Sequence, residues 1–294
     1  MAWPRRRRSP RWPRAAPPGP VRETGQRRGG GDRAAKGAEI STIELYHQVD
    51  GPAGAPTLLL LGPLGGTGEL WAAQVPALAG RFRVVRADHR GHGRSPVPPG
   101  PYRLDELAGD VLALLDRLGA QRCHLAGLSL GGMVGLWLAQ HAPERLDRLA
   151  LLCTSARLGP PQMWADRAAI VLAEGTDAVA ETAIGRWFTP GYAAAEPERV
   201  AAIRAMIAAT PPVGYAGCCA AIETMDLRPA LGVVRAPTLV VAGTDDPSTT
   251  PEHLRLIADG IPGSRYVQLD DCAHVAIVEQ AGPVTELLLE HFAG

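Results

Sequence analysis

Ser129 stands at the centre of Gly127-Leu128-Ser129-Leu130-Gly131, between a short apolar run, Cys123-His124-Leu125-Ala126, and an apolar helical stretch. Glycines two residues to either side of a serine suit a sharp strand-to-helix turn, where strand and helix approach too closely for side chains. Such a turn strains the backbone and presents the serine Oγ as an exposed nucleophile. A serine hydroxyl is weak at neutral pH, so a base must take its proton and a third group must hold that base in its useful tautomer. The pentapeptide also occurs in chains without catalysis. Its meaning here depends on the residues downstream.

Two loops, one bearing carboxylates and one a histidine, come later in the order such a site needs, each after a strand-like segment. Ala236-Pro237-Thr238-Leu239-Val240-Val241-Ala242-Gly243 reads as a buried strand ending in Thr244-Asp245-Asp246-Pro247. Ser264-Arg265-Tyr266-Val267-Gln268-Leu269 alternates like a strand and runs into Asp270-Asp271-Cys272-Ala273-His274. Ser129, Asp246 and His274 are therefore the expected catalytic triad. Asp246 is preferred over Asp245, Asp270 and Asp271 because it lies three residues past Gly243 and precedes a turn-ending proline. His47, His124, His141, His253 and His291 are read as surface or satisfied core residues.

An acyl transfer also needs donors for the oxyanion, one of them normally the N–H after the nucleophile, here Leu130. The second comes from an earlier loop. Leu61-Gly62-Pro63-Leu64-Gly65-Gly66-Thr67-Gly68 continues from a buried strand, and Leu64 is the first choice with Gly65 next. The loop lacks the spacing of dinucleotide or P-loop phosphate motifs. His89 and His92, in Asp88-His89-Arg90-Gly91-His92-Gly93-Arg94-Ser95, form a conceivable metal pair, but no carboxylate or cysteine cluster accompanies them. A structural turn is the expected reading, and neither metal nor other cofactor is expected.

The elements that must position these groups alternate strand and helix from Ile43 onward, which argues for a mostly parallel sheet with helices on both faces. Ile43–Val49, Pro56–Leu61, Phe82–Ala87 and Leu149–Thr154 read as further strands, and Leu104–Asp116 has apolar residues at helical spacing. Between about 156 and 231 the pattern becomes mainly helical, with Trp164, Trp187, Phe188 and two Pro-rich breaks. This segment reads as a lid over the carboxyl edge of the sheet, where ligands of open α/β sheets bind. Its aromatics have an equally direct reading as packing between lid and body.

At 294 residues and 46% apolar content, one domain with an insertion suffices. Residues 1–40 hold 11 Lys and Arg against 3 Asp and Glu, a net of +8, so residues 41–294 carry −8. This Arg, Pro and Gly-rich tail is expected to be disordered, and its arginines lack the apolar segment an export signal needs. No apolar run approaches the roughly 20 residues of a membrane span. The five cysteines show no CxxC spacing, which fits a reducing cytoplasm, and Cys272 reads as a small buried thiol. The expectation is a soluble cytoplasmic protein that binds neither nucleic acid nor membrane, of open oligomeric state.

From about Ile43 to Phe292 the chain resembles the α/β-hydrolase 3-oxoadipate enol-lactonases of aromatic catabolism. The resemblance rests on Asp88–Ser95 with Pro98-Pro99-Gly100-Pro101-Tyr102 and on Gly127-Leu128-Ser129-Leu130-Gly131-Gly132-Met133, both shared with many esterases. It rests more specifically on Arg186-Trp187-Phe188-Thr189-Pro190 and on Thr210-Pro211-Pro212-Val213-Gly214-Tyr215-Ala216-Gly217-Cys218-Cys219-Ala220-Ala221-Ile222 in the lid. It implies an α/β-hydrolase fold with an eight-stranded sheet and the same triad. One departure is that Pro63 directly precedes Leu64 where a serine is usual, with one residue fewer before Trp71. The chain's length leaves no room for the decarboxylase domain to which some relatives are fused.

The implied activity is hydrolysis of 3-oxoadipate enol-lactone, a small-molecule substrate. The alternatives are a general carboxylesterase or perhydrolase with the same triad, and a non-catalytic ligand-binding protein on the same fold. Trp137, Trp164, Arg167, Arg186 and Trp187 are the candidate substrate-binding residues. A desolvated substrate carboxylate needs a cation or fixed donors, and the lid offers Arg167, Arg186, Arg199 and Arg204. Arg167 and Arg186 are preferred because tryptophans neighbour them, although each also reads as a solvated helix arginine.

Overall fold

The structure, a computed structural model, describes residues 41–293; the tail expected over 1–40 lies outside the described residues. Seven strands form one sheet in the order β1-β3-β2-β4-β5-β6-β7. They are β1 (His47–Asp50), β2 (Thr57–Leu61), β3 (Arg83–Ala87), β4 (Cys123–Leu128), β5 (Leu146–Leu152), β6 (Thr238–Gly243) and β7 (Arg265–Leu269). Only β1 is antiparallel to its neighbour; every other pairing is parallel. β2 and β6 are buried along their whole length, which is why they read as unbroken apolar runs rather than as alternation.

The expected eight-stranded sheet is corrected to seven strands among the described residues, and the first strand begins four residues later than Ile43. The backbone of that segment is engaged otherwise. Ile43 N–H donates to Asp110 Oδ1 at 2.7 Å and Tyr46 N–H to Ser95 Oγ at 2.9 Å, so side chains take donors a ladder would use.

The helices are α1 (Val75–Leu78), α2 (Leu104–Arg117), α3 (Leu130–His141), α4 (Pro161–Glu174), α5 (Asp177–Trp187), α6 (Pro190–Ala195), α7 (Pro197–Ala208), α8 (Pro212–Thr224), α9 (Pro251–Gly260), α10 (Ala276–Glu279) and α11 (Ala281–Ala293). In α2 the buried Leu104, Leu107, Ala108, Val111, Leu114 and Leu115 fall on one stripe, and Glu106 caps the first turn by accepting from Arg103 N–H. α3 is buried nearly throughout and therefore carries no polar face in its first nine residues.

Helices α4 to α8 are inserted between β5 and β6, with α4 packed on α8. Proline opens α4, α6, α7 and α8, where a missing N–H costs nothing and φ is already helical. No single helix among the described residues is long and apolar enough to cross a membrane. The pair α7 and α8 reaches that length together but bends by 88° between them.

Candidate active site

The turn from β4 into α3 is as sharp as its glycines suggest. Ser129 has φ 54° and ψ −113°, a left-handed conformation that costs a non-glycine residue on the order of 1–3 kcal/mol. A methyl group at Gly127 would overlap the backbone of Gly131, and one at Gly131 the backbone of Leu61. Ser129 precedes α3 but does not use its hydroxyl to cap the helix. The Oγ is left for the cavity that Ser129 lines together with His274.

His274 Nδ1 lies 2.8 Å from Asp246 Oδ2. Asp246 also accepts from Ser248 N–H at 2.7 Å, Thr249 N–H at 3.0 Å and Thr249 Oγ1–H at 2.6 Å. Burial alone would raise its pKa, but attraction to the imidazolium form of His274 and these hydrogen bonds outweigh burial and hold Asp246 below the usual carboxylate range. Asp245, Asp270 and Asp271 are exposed at the surface. With the carboxylate on Nδ1, the imidazole presents Nε2 to the cavity, the tautomer needed to accept a hydroxyl proton.

The loop after β2 is held at several points. His89 Nε2 donates to Gly62 O at 3.0 Å, Gly131 N–H donates to the same oxygen at 3.0 Å, and Gly66 N–H returns to Pro63 O at 3.0 Å. Gly65 N–H donates to His92 Nε2 at 2.9 Å. Pro63 has no N–H, so between 63 and 66 only Leu64 keeps a backbone donor for a ligand. Leu64 faces the cavity, and Leu130 is the first residue of α3, whose helix dipole favours negative charge.

The cavity encloses about 240 Å³ and takes its walls from body and lid alike. Of the expected substrate-binding residues, Trp164, Arg167, Arg186 and Trp187 line it. Trp137 does not, and that expectation is corrected. It lies eight residues into α3, about 12 Å along the axis from the elbow at 1.5 Å per residue, and stacks on His141 at 4.2 Å.

Arg167 lies over the rings of Trp164 and Tyr215, at 5.8 and 5.6 Å. Its Nε is buried without a hydrogen-bond partner among the described residues. Arg186 is exposed, and Arg204 is paired with Asp177 and Glu181 at the surface.

Sequence reasoning missed His253, which lines the cavity from the first turn of α9. Ser155 Oγ donates to Arg157 O at 2.6 Å and so accepts from His253 Nδ1 at 2.8 Å, leaving the other ring nitrogen free. The usable signal was its place just past the Asp246 loop. Cys272 is fully buried, and burial pushes its thiol up, which removes it from nucleophilic chemistry. His92 uses both ring nitrogens, and His89 its Nε2, on backbone groups of the turn and of the loop after β2.

A mostly parallel sheet with inserted helices, a strained serine elbow and a buried carboxylate–imidazole pair at the strands' carboxyl ends define a class. The chain belongs to the α/β-hydrolase family, whose model, described as the alpha/beta hydrolase fold, matches residues 56–281. Among its relatives is 3-oxoadipate enol-lactonase 2 of Acinetobacter baylyi, 38% identical over 238 residues, 81% of this chain and 89% of that protein. The crystal structure of the enol-lactonase from Burkholderia xenovorans superposes with a TM-score of 0.85 at 40% identity, over 87% of this chain and 99% of that one. A thermophilic esterase from Thermogutta terrifontis superposes at 33% identity with a TM-score of 0.80, over 85% and 93%.

Proposed function

We propose that this protein hydrolyses 3-oxoadipate enol-lactone to 3-oxoadipate, in the β-ketoadipate route of aromatic catabolism, through an acyl-enzyme on Ser129. Ser129 Oγ attacks the lactone carbonyl carbon while His274 Nε2 takes the hydroxyl proton, and Asp246 stabilises the imidazolium. The N–H groups of Leu130 and Leu64 receive the oxyanion. The ring C–O bond then breaks, His274 returns the proton to the departing enol oxygen, and the enol tautomerises to the ketone. Water adds to the acyl carbon with His274 as base, and Ser129 leaves with its proton restored. An enol leaves more readily than an alkoxide, so the demand falls on positioning and oxyanion stabilisation rather than on the leaving group.

One observation in the cavity carries the choice of substrate class. Arg167 brings a guanidinium with a buried, unpartnered Nε into the same space as Ser129 and His274. Such a donor is costly to leave unsatisfied and suits the free carboxylate that the enol-lactone keeps and a neutral ester lacks. Arg167, rather than Arg186, is the residue assigned to that carboxylate, with Trp164 and Trp187 as apolar walls. Arg167→Ala should lower kcat/KM for the enol-lactone by about 1.5–3 kcal/mol, the range for a hydrogen bond to a charged group, and leave an aryl acetate nearly unaffected. Equal losses on both substrates, or a native enzyme that prefers the aryl acetate, would favour the esterase reading.

A further inference from the structure

The loop that carries the Leu64 donor is gripped by two histidines that the reaction itself does not use. His92 is fully buried; its Nδ1 lies 3.1 Å from Arg90 O and its Nε2 2.9 Å from Gly65 N. A carbonyl oxygen only accepts and an N–H only donates, so Nδ1 carries the hydrogen and Nε2 the lone pair. His89, 2% exposed, has the opposite arrangement at the loop, donating from Nε2 to Gly62 O. The two rings are 6.2 Å apart at 79°, one fixing the start of the loop and the other the residue after Leu64.

Their own support is equally fixed. Asp88 accepts from Gly68 N–H at 2.8 Å and Arg94 N–H at 3.0 Å, and Arg90 is held by Asp110 through two hydrogen bonds of 2.6 and 2.8 Å. Gly91 approaches Gly214 of α8 so closely that a methyl on either would overlap the other's backbone. Gly65 itself has φ +84°, a conformation that needs a glycine, and it is bounded on its far side by the Tyr215 ring.

We propose that His92 is a positioning residue for the hydrolytic step: by accepting from Gly65 N–H, with His89 holding Gly62 O, it turns the Leu64 N–H toward the oxyanion and keeps Gly65 from competing for it. The inference rests on the acyl-transfer reading of the site but not on the identity of the substrate. Burial lowers His89 to a pKa of about 4 and, with His89 beside it, His92 to about 3. Both rings are therefore neutral at neutral pH, the state these hydrogen bonds require.

The test compares His92→Leu, which removes the acceptor, with His92→Asn, whose amide is too short to reach Gly65, and His92→Gln, whose amide oxygen can replace Nε2. Each is assayed on the enol-lactone and on an aryl acetate, and each is titrated with an alkyl boronic acid that forms a tetrahedral adduct with the serine. The expected result is a kcat lower by about 10²–10³-fold for the Leu and Asn variants on both substrates, the range for losing one oxyanion donor, with KM changed less than about threefold. Boronate affinity should fall in step with kcat, and His92→Gln should recover kcat to within about tenfold of native. A folded Leu or Asn variant with native kcat would overturn the proposal, as would a Gln variant as impaired as they are. A loss of thermal stability without the split between kcat and KM would also overturn it, since that is what a core-filling histidine gives. Native protein inactive on the enol-lactone but active on the aryl acetate would count against the substrate reading alone, and the His92 series would still decide on the ester.

Discussion

The Asp246 carboxylate collects four hydrogen bonds, from His274, Ser248 and both donors of Thr249, whereas the Asp245 carboxylate next to it is exposed and accepts from the Thr244 hydroxyl. That contrast sets what each replacement should do. Asp246→Asn leaves the shape nearly intact but presents an amide to His274, favouring the wrong tautomer, so kcat should fall by about 10⁴-fold. Asp245→Asn should stay within a few-fold of native in the same steady-state assay; the reverse ranking would displace Asp246 from its role. At this scale residue type and chain order singled out Ser129, Asp246 and His274, and the structure sets His274 against Asp246 and lines one cavity with Ser129 and His274. The sequence was silent on which nitrogen or N–H is free. The choice of Leu64 over Gly65 depends on a hydrogen bond from Gly65 to His92, across 27 residues, that no spacing rule encodes.

The turn 88–95, which carries no reacting group, holds the loop after β2 through His89 and His92. Its Arg90 lies with Asp110 of α2 in a buried pair, the side chains 3% and 1% exposed. Asp110→Ala would leave the guanidinium with Glu106 and the Ser41 and Glu106 carbonyls and free the Ile43 N–H, so unfolding in urea should show a loss of about 1–3 kcal/mol. A loss well under about 1 kcal/mol would show that those remaining partners suffice for Arg90. The glycines and charges of this turn marked it as a turn in the sequence, but its contact with the oxyanion loop was not legible. Strands were legible where burial on both faces leaves an unbroken apolar run, as in β2 and β6. They were less so at β1, where Ser95 and Asp110 take backbone donors, and Trp137 misled because its place on α3 depends on helical rise rather than on composition.

Across the whole molecule the buried neutral histidines make stability depend on pH. Burial lowers His89 and His291 to about 4 and His92 to about 3, from 6.5 in an unfolded chain. Below 6.5 the unfolded chain binds protons that the folded one does not, so stability falls as pH drops from 6.5 toward those values and is unaffected above it. Asp88 and Asp110, which burial holds above the ordinary carboxyl value, oppose the trend. The informative quantity is therefore a difference. The melting temperature of His92→Gln should fall less steeply than that of native protein between about pH 6.5 and 4, and parallel slopes would show that His92 titrates normally. The alternation of strands and helices made the sheet visible from patterning alone, and the mainly helical stretch holds α4 to α8 between β5 and β6. The cavity between them was not visible, because it is formed by residues as distant in sequence as Leu64, Arg167 and His274.

The central claim is that Ser129, set on a strained elbow beside the Asp246–His274 pair, opens 3-oxoadipate enol-lactone. Purified native protein and Ser129→Ala, both shown to be folded by their melting curves, are mixed with the enol-lactone, and loss of its ultraviolet absorbance is followed. The account predicts rapid loss with the native protein and a rate lower by roughly three orders of magnitude or more with the variant, the remaining rate being what the oxyanion donors and binding supply. Native protein that leaves the absorbance unchanged, or a folded Ser129→Ala that matches it, would contradict the account.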